Sequence, residues 1–343
     1  MARRILWGSL VLTPVVTLAR FVFHLDETTL FVLAAVALIP LAWLIGEATE
    51  HAAEHTGPGV GGLLNASFGN APELIIALFA VADALPGVVR GSLTGSVVSN
   101  ILLVLGAAMI AGGDGDVDAR SLRWQLFAVF GAVALITIPS AFAWDGGSHE
   151  RHSLFILSIP ISVVLLLAYL GITWQNLRIH RSAERKEPAE AAWSLKRALV
   201  ALALATAATA IVSEILVHSL DHFGKAVGLN EFFIAVVIVA IVGNAAEHGG
   251  AVVIARRGNT TLATEIAITS SMQVAVFVAP AVCLLSWIVG RGLPLSFRAI
   301  EIVTMAAAAL FAAFVVADGK SRRWEGFLLV SVYGAAVVWY LLA

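Results

Sequence analysis

Long apolar runs alternate with short polar breaks along nearly the whole chain. Eleven runs can be marked, at about 6–23, 29–55, 61–83, 87–110, 122–143, 152–175, 197–218, 230–255, 260–288, 297–317 and 324–342. An α-helix needs about 20 residues to cross the roughly 30 Å hydrocarbon layer of a bilayer, and most of these runs have them. The breaks carry turn chemistry: Gly57-Pro58-Gly59, Leu85-Pro86-Gly87, Gly112-Gly113-Asp114-Gly115, Asp145-Gly146-Gly147 and Asp318-Gly319. Only the linker from about 178 to 197 is substantially hydrophilic, and a short solvated helix or a loop is expected there. The pattern predicts an all-α polytopic membrane protein of about eleven transmembrane helices.

Composition agrees with that class. Hydrophobic residues make up 59% of the 343 positions and charged ones 13%, with a mean hydropathy of +0.92. A soluble domain carries about 25% charge. The formal net charge of -2 hides an asymmetry. With a cytoplasmic N-terminus, fifteen of the 21 Lys and Arg fall in cytoplasmic segments, among them Arg3, Arg4, Arg120, Arg123, Arg256, Arg257, Lys320, Arg322 and Arg323. Arg20, Arg90, Arg151, Lys225, Arg291 and Arg298 are left for the far side. This is a positive-inside bias, and it places the C-terminus outside. The expected setting is a prokaryotic inner membrane. Lys and Arg sit in short loops without interleaved aromatics, so no nucleic-acid surface is expected. The single cysteine, Cys283, lies in an apolar run and excludes disulfides and Cys-rich metal sites. Arg3-Arg4 before an apolar stretch resembles a signal peptide, but no small-residue cleavage site follows, and a retained first helix is expected.

One motif occurs twice. Phe68-Gly69-Asn70-Ala71-Pro72-Glu73 returns 174 residues later as Val242-Gly243-Asn244-Ala245-Ala246-Glu247. The copies fall in the third and eighth runs, and an odd offset implies opposite orientations in the membrane. The chain then reads as an extra first helix (1–27), a five-helix repeat (28–177), a cytoplasmic linker (178–196) and an inverted five-helix repeat (197–343). Weaker echoes flank the motif: Glu47 with Glu214, and Ser99-Asn100 with Ser270-Ser271 and Gln273.

A carboxylate at membrane depth is expensive and functional by default. In transporters built from repeats, ion sites lie near the midplane where the halves meet. Glu73, Glu247, Asn70 and Asn244, with backbone carbonyls loosened by Gly69 and Gly243, offer an oxygen-only set that suits calcium, which takes 6–8 oxygens. Asn and Glu three apart share one helix face. Ser99, Asn100, Ser270, Ser271, Gln273, Glu47, Glu50, Glu214 and His248 are candidates to line the same site. Two carboxylates in a desolvated site cannot both stay ionised while empty, so calcium and protons would compete for Glu73 and Glu247. Helix packing is the bland alternative. It accounts for the Gly and Asn well but poorly for two glutamates.

The segments 46–50, 61–76, 95–106, Val242–His248 and Ser270–Pro280 resemble the calcium/proton exchangers of the calcium:cation antiporter superfamily, in that family's order. The resemblance implies eleven helices, two inverted repeats, and a site in which Glu73 and Glu247 carry calcium or protons. Its substrates would be Ca²⁺ and H⁺, with no cofactor, a lipid bilayer around it, and a homo-oligomer open. Pro72 departs from the Thr or Val more usual in the first motif. Only Glu184, Glu187 and Glu190 stand among the linker's basic residues, so the acidic regulatory segment of some relatives is absent. A sodium- or potassium-coupled exchanger and a passive channel are alternatives. An intramembrane zinc protease is another, because His51-Ala-Ala-Glu54-His55 matches an H-x-x-E-H pattern.

Overall fold

The computed structural model describes residues 2–144, 148–180 and 193–343. The chain is almost entirely helical. The first span is made of α1 (Ala2–Ser9) and α2 (Leu12–Phe21), followed by the 42-residue α3 (Glu27–Phe68) and the short α4 (Ala71–Ala82). Next, α5 (Pro86–Val98) continues through a π-helical turn, Ser99–Val104, into α6 (Leu105–Gly112), and α7 (Ala119–Trp144) and α8 (His152–His180) complete the first half. In the second half, α9 (Leu195–Val227) precedes α10 (Glu231–Phe233), which runs through a π-turn, Ile234–Val239, into α11 (Ala240–Gly243). The chain then bends by 56° into α12 (Ala245–Arg256). After it, α13 (Thr260–Gln273) runs through a third π-turn, Val274–Val278, into α14 (Ala279–Ile288), and α15 (Ala299–Val315) and α16 (Arg323–Leu342) close the chain. Among the described residues nine helices are long and apolar enough to cross a membrane, ten when the bent pair counts as one span.

The expected break at Gly57-Pro58-Gly59 is absent: α3 stays helical through it and ends at Phe68. The second and third predicted runs therefore form one long helix followed by a 12-residue half-helix, α4. A proline removes one backbone donor, and the loss of a single bond need not end a membrane helix. The linker reading for 181–192 and the Asp145-Gly146-Gly147 turn lie outside the described residues.

Helix ends follow local chemistry. Asp26 caps α3, accepting from Thr29 N at 2.9 Å. Asn230 and Asn259 cap α10 and α13, accepting from Phe233 N at 2.7 Å and Leu262 N at 3.1 Å. The 33-residue α9 stops at Gly228, whose φ of +72° few other residues adopt cheaply.

Two ends of the molecule can be told apart by contact. At the Arg256 end, β1 (Gly115–Asp116) pairs antiparallel with β2 (Lys320–Ser321), and Thr261 Oγ1 donates to Asp116 O at 3.0 Å. At the Arg298 end, the Arg298 guanidinium covers the Phe232 ring at 3.7 Å, and Trp144 Nε1 donates to Phe297 O at 3.0 Å. Trp7 packs on Trp193, just ahead of α9, and Tyr340 packs edge-on to Phe232. Because α9 spans the molecule from Trp193 to the neighbourhood of Phe232, Trp7 near the start of the first helix and Tyr340 near the end of the last lie at opposite ends.

Candidate functional site: two interrupted helices

Both copies of the motif interrupt a helix at the same residue of the pattern. Asn70 has φ -98° and ψ 17°, and Asn244 has φ -92° and ψ 10°. Pro72 stands at the second position of α4, but Ala246 takes its place in α12 and the interruption persists, so proline is not its cause. The Asn therefore stands at a helix break rather than inside one continuous helix, where the spacing had placed it. The Asn precedes a half-helix and the Glu sits in its first turn. There the positive end of the helix and its unpaired N–H groups favour a carboxylate.

The two half-helices run in opposite directions. From Asn70, α4 leads to Pro86 and the start of α5. From Asn244, α12 leads to Thr260, which touches Gly112 at the far end of α6. The N-termini of α4 and α12 therefore face each other midway along the α5–α6 span. Gly91 and Gly95 of α5 press on the π-turn of the second half. A β-carbon at Gly95 would stand 2.0 Å from Val236 O.

Glu73 is 8% exposed, whereas Glu247 is partly exposed. Glu73 reaches across the halves: a β-carbon on Gly243 would lie 3.7 Å from its carboxylate. The two carboxylates are close enough for their charges to repel. Their Oε2 atoms are both buried and lack a hydrogen-bond partner among the described residues. A cavity of about 10 Å³ lies beside Glu73, bounded by Ser92, Ser96, Ala240 and Gly243. That is room for roughly one water-sized particle.

Around the carboxylates the halves are tied by amide side chains. Asn70 Nδ2 donates to Gln273 Oε1 at 2.7 Å. Asn100 Nδ2 donates to Asn244 Oδ1 at 3.0 Å and to Ser270 Oγ at 2.8 Å. Asn100 Oδ1 meets His248 Nε2 at 3.0 Å. Asn244 Nδ2 in turn donates to Ser96 Oγ at 2.8 Å. Ser270 accepts from Asn100, and its hydroxyl lies beside Glu247, which brings the amide network up to one of the carboxylates.

Seven of the expected residues thus meet: Glu73, Glu247, Asn70, Asn244, Asn100, Ser270 and Gln273. Gly69 and Gly243 flank them and His248 joins the network. Other candidates sit elsewhere. Ser99 bonds only the Ser96 carbonyl, at 3.4 Å, and Ser271 bonds the carbonyls of Val97 and Ala267. Glu214 is exposed on α9, and Glu50 is exposed on α3. Glu47 faces His51, 3.7 Å away. Ser96 was missed, although its 174-residue counterpart is Ser270.

The H-x-x-E-H stretch builds no zinc site. His55 Nε2 meets Trp193 O at 2.6 Å, and His51 stacks on the Trp193 ring between Glu47 and Glu54. Among the described residues no group of three or more His, Cys, Asp or Glu is set to hold a metal ion.

Comparison with known proteins fits this geometry. Residues 27–177 and 197–342 match the sodium/calcium exchanger protein family. The chain is 38% identical over 333 residues to the Ca²⁺/H⁺ antiporter ChaA of Bacillus subtilis, covering 93% of each. It is 35% identical over 354 residues to the Ca²⁺/H⁺ antiporter of Aphanothece halophytica, covering 96% of this chain and 94% of that one. The solved structure of native YfkE superposes with a TM-score of 0.84 at 34% identity, covering 96% of this chain and 97% of that one. Helical composition, interrupted helices and both halves of the sequence lead to one conclusion: the chain belongs to the sodium/calcium exchanger protein family.

Proposed function

We propose that the protein exchanges Ca²⁺ for H⁺ across a membrane by alternating access, with the two ions competing for Glu73 and Glu247. The observation that carries this reading is the pair of carboxylates at the facing N-termini of α4 and α12, each with a buried oxygen left without a protein donor. The relatives at 35% and 38% identity bear the name Ca²⁺/H⁺ antiporter. Calcium neutralises both carboxylates, and so do two protons. A bare pair in a desolvated site is costly, and a reorientation that avoids the bare state couples the two ions. The oxygens of Asn70, Asn244 and Ser270 supply further neutral ligands of the kind calcium takes.

The positive-inside bias supports a cytoplasmic Arg256 end, and a proton gradient directed inward then drives calcium out of the cytoplasm. The deciding experiment is calcium flux in proteoliposomes under an imposed pH gradient or an imposed sodium gradient. Flux that follows the pH gradient and ignores the sodium gradient supports the reading. Flux that follows sodium, or calcium leak independent of both, overturns it.

A further inference from the structure

Glu265 lies on α13, outside the cluster described above and nearer the Arg256 end. Its Oε2 accepts from Gln125 Nε2 of α7 at 2.6 Å. The same nitrogen donates to Ser121 Oγ at 3.1 Å, and Gln125 Oε1 accepts from Thr269 Oγ1 at 2.7 Å. Both N–H groups and the carbonyl of Gln125 are thereby used, and the amide orientation is fixed from three sides.

Glu265, Thr269 and Gln273 follow one another at intervals of four, on one face of α13. Gln273 is the residue that Asn70 holds at 2.7 Å. A file of polar side chains therefore leads from Glu265 to the first turn of α4. At 1.5 Å per residue it covers about 12 Å along the helix axis. Glu265 itself is partly exposed, and its other oxygen takes part in no hydrogen bond or ion pair among the described residues. Arg120 and Arg123 of α7, Arg256 of α12 and Arg257 just after it belong to the same end, yet none forms an ion pair with it among the described residues. A clamp between α7 and α13 needs only an acceptor. A carboxylate with a spare oxygen, left without a cation, is more than a clamp requires.

We propose that Glu265 is a staging carboxylate on the ion route between the Arg256 end and the Glu73–Glu247 pair. It attracts the divalent cation to that mouth and passes it along the α13 face. The proposal rests on the exchange reading above. Glu265→Gln separates the two roles, because the glutamine carbonyl still accepts from Gln125 while the charge is gone. Glu265→Asp keeps the charge at shorter reach.

The measurement is the calcium dependence of proton-driven flux in proteoliposomes, with calcium presented at each face in turn and a terminal tag reporting orientation. Glu265→Gln is expected to raise the half-saturating calcium about three- to tenfold at the Arg256 face alone, with the maximal rate held within about twofold. Glu265→Asp is expected to fall between this variant and the wild type. Raising ionic strength should weaken calcium uptake at that face in the wild type and far less in Glu265→Gln. An unchanged half-saturation in Glu265→Gln, or an equal shift at both faces, overturns the staging role and leaves the exchange reading standing. Wild-type protein that shows no proton-driven flux overturns both.

Discussion

Asn100 and Asn244 are 144 residues apart in the chain, and the amide nitrogen of the first donates to the amide oxygen of the second at 3.0 Å. Through that one bond the middle of α5–α6 reads the break in the opposite half. Asn100→Ala leaves Asn244 Oδ1, Ser270 Oγ and His248 Nε2 short of a partner. A buried group so orphaned costs about 1–3 kcal/mol. A clear drop in thermal stability in detergent and strongly reduced calcium flux are expected, whereas Ser99→Ala should change either by less than about 1 kcal/mol equivalent, since its hydroxyl serves only its own helix. Comparable losses in the two variants would contradict the bonding scheme.

Glu73→Gln and Glu247→Gln each keep the side-chain volume and one acceptor oxygen while removing a charge and a titratable proton. Breaking a buried charge balance costs about 3 kcal/mol or more, roughly 100-fold in cation affinity. Proton-driven calcium flux is expected to fall to background in both, with the size-exclusion profile preserved. Glu54→Gln, on the exposed side of α3, should retain most of the wild-type rate.

Gly95→Ala places a β-carbon 2.0 Å from Val236 O, where backbone on both sides leaves nowhere to move. Overpacking of this kind costs about 1–3 kcal/mol and sometimes more. Gly171→Ala, on α8 with nothing within 4 Å, should be neutral or stabilising by about 0.5–1 kcal/mol. Thermal melts of the purified variants in parallel decide the sign of each.

His149, in the loop between α7 and α8, meets Ser296 Oγ at 2.8 Å. Partial burial, and then the nearby Arg90 and Arg298 charges, hold its pKa below the ordinary histidine value of 6.5. The folded protein therefore binds fewer protons here than the unfolded chain, so stability is lost as pH falls through 6.5 toward the lowered value. His149→Gln keeps a partner for Ser296 without titrating. The melting temperature is expected to fall less between pH 7.5 and pH 5.5 in the variant than in the wild type.

Opposed chain ends give a labelling test. A tag ahead of Arg4 and a probe within 178–197 should react only from the cytoplasm, and a tag after Ala343 only from outside. Both termini labelled from one side would undo the proposed orientation.

The apolar rhythm of the chain was enough to set the fold class, and the repeated Gly-Asn-x-x-Glu located the centre, because each depends on residue type at fixed spacing. The placement of interruptions was not legible. Gly57-Pro58-Gly59 is the strongest local breaker in that region, yet α3 runs helical through it and the chain breaks eleven residues later at Asn70. Choosing Ser99 over Ser96 failed for a related reason. A π-turn begins at Ser99, and the regular helical period no longer tells which of two serines three apart meets the other half. Ser271 does reach the other half, but at the Val97 carbonyl, while Ser270 beside it bonds Asn100. The Gln125–Glu265 contact joins helices 140 residues apart, and no repeat in the sequence announces it.

The 174 residues between the two motifs also set a timetable for synthesis. At about 5–20 residues per second, roughly 10 to 35 s pass between the emergence of Glu73 and that of Glu247. Every side-chain partner of Asn100 in the site belongs to the later half. The nascent first half must be held for that interval with its amide and carboxylate groups hydrated or shielded by the insertion machinery. A ribosomal pause placed between the halves lengthens the exposure, and the yield of membrane-integrated protein should fall in step with it.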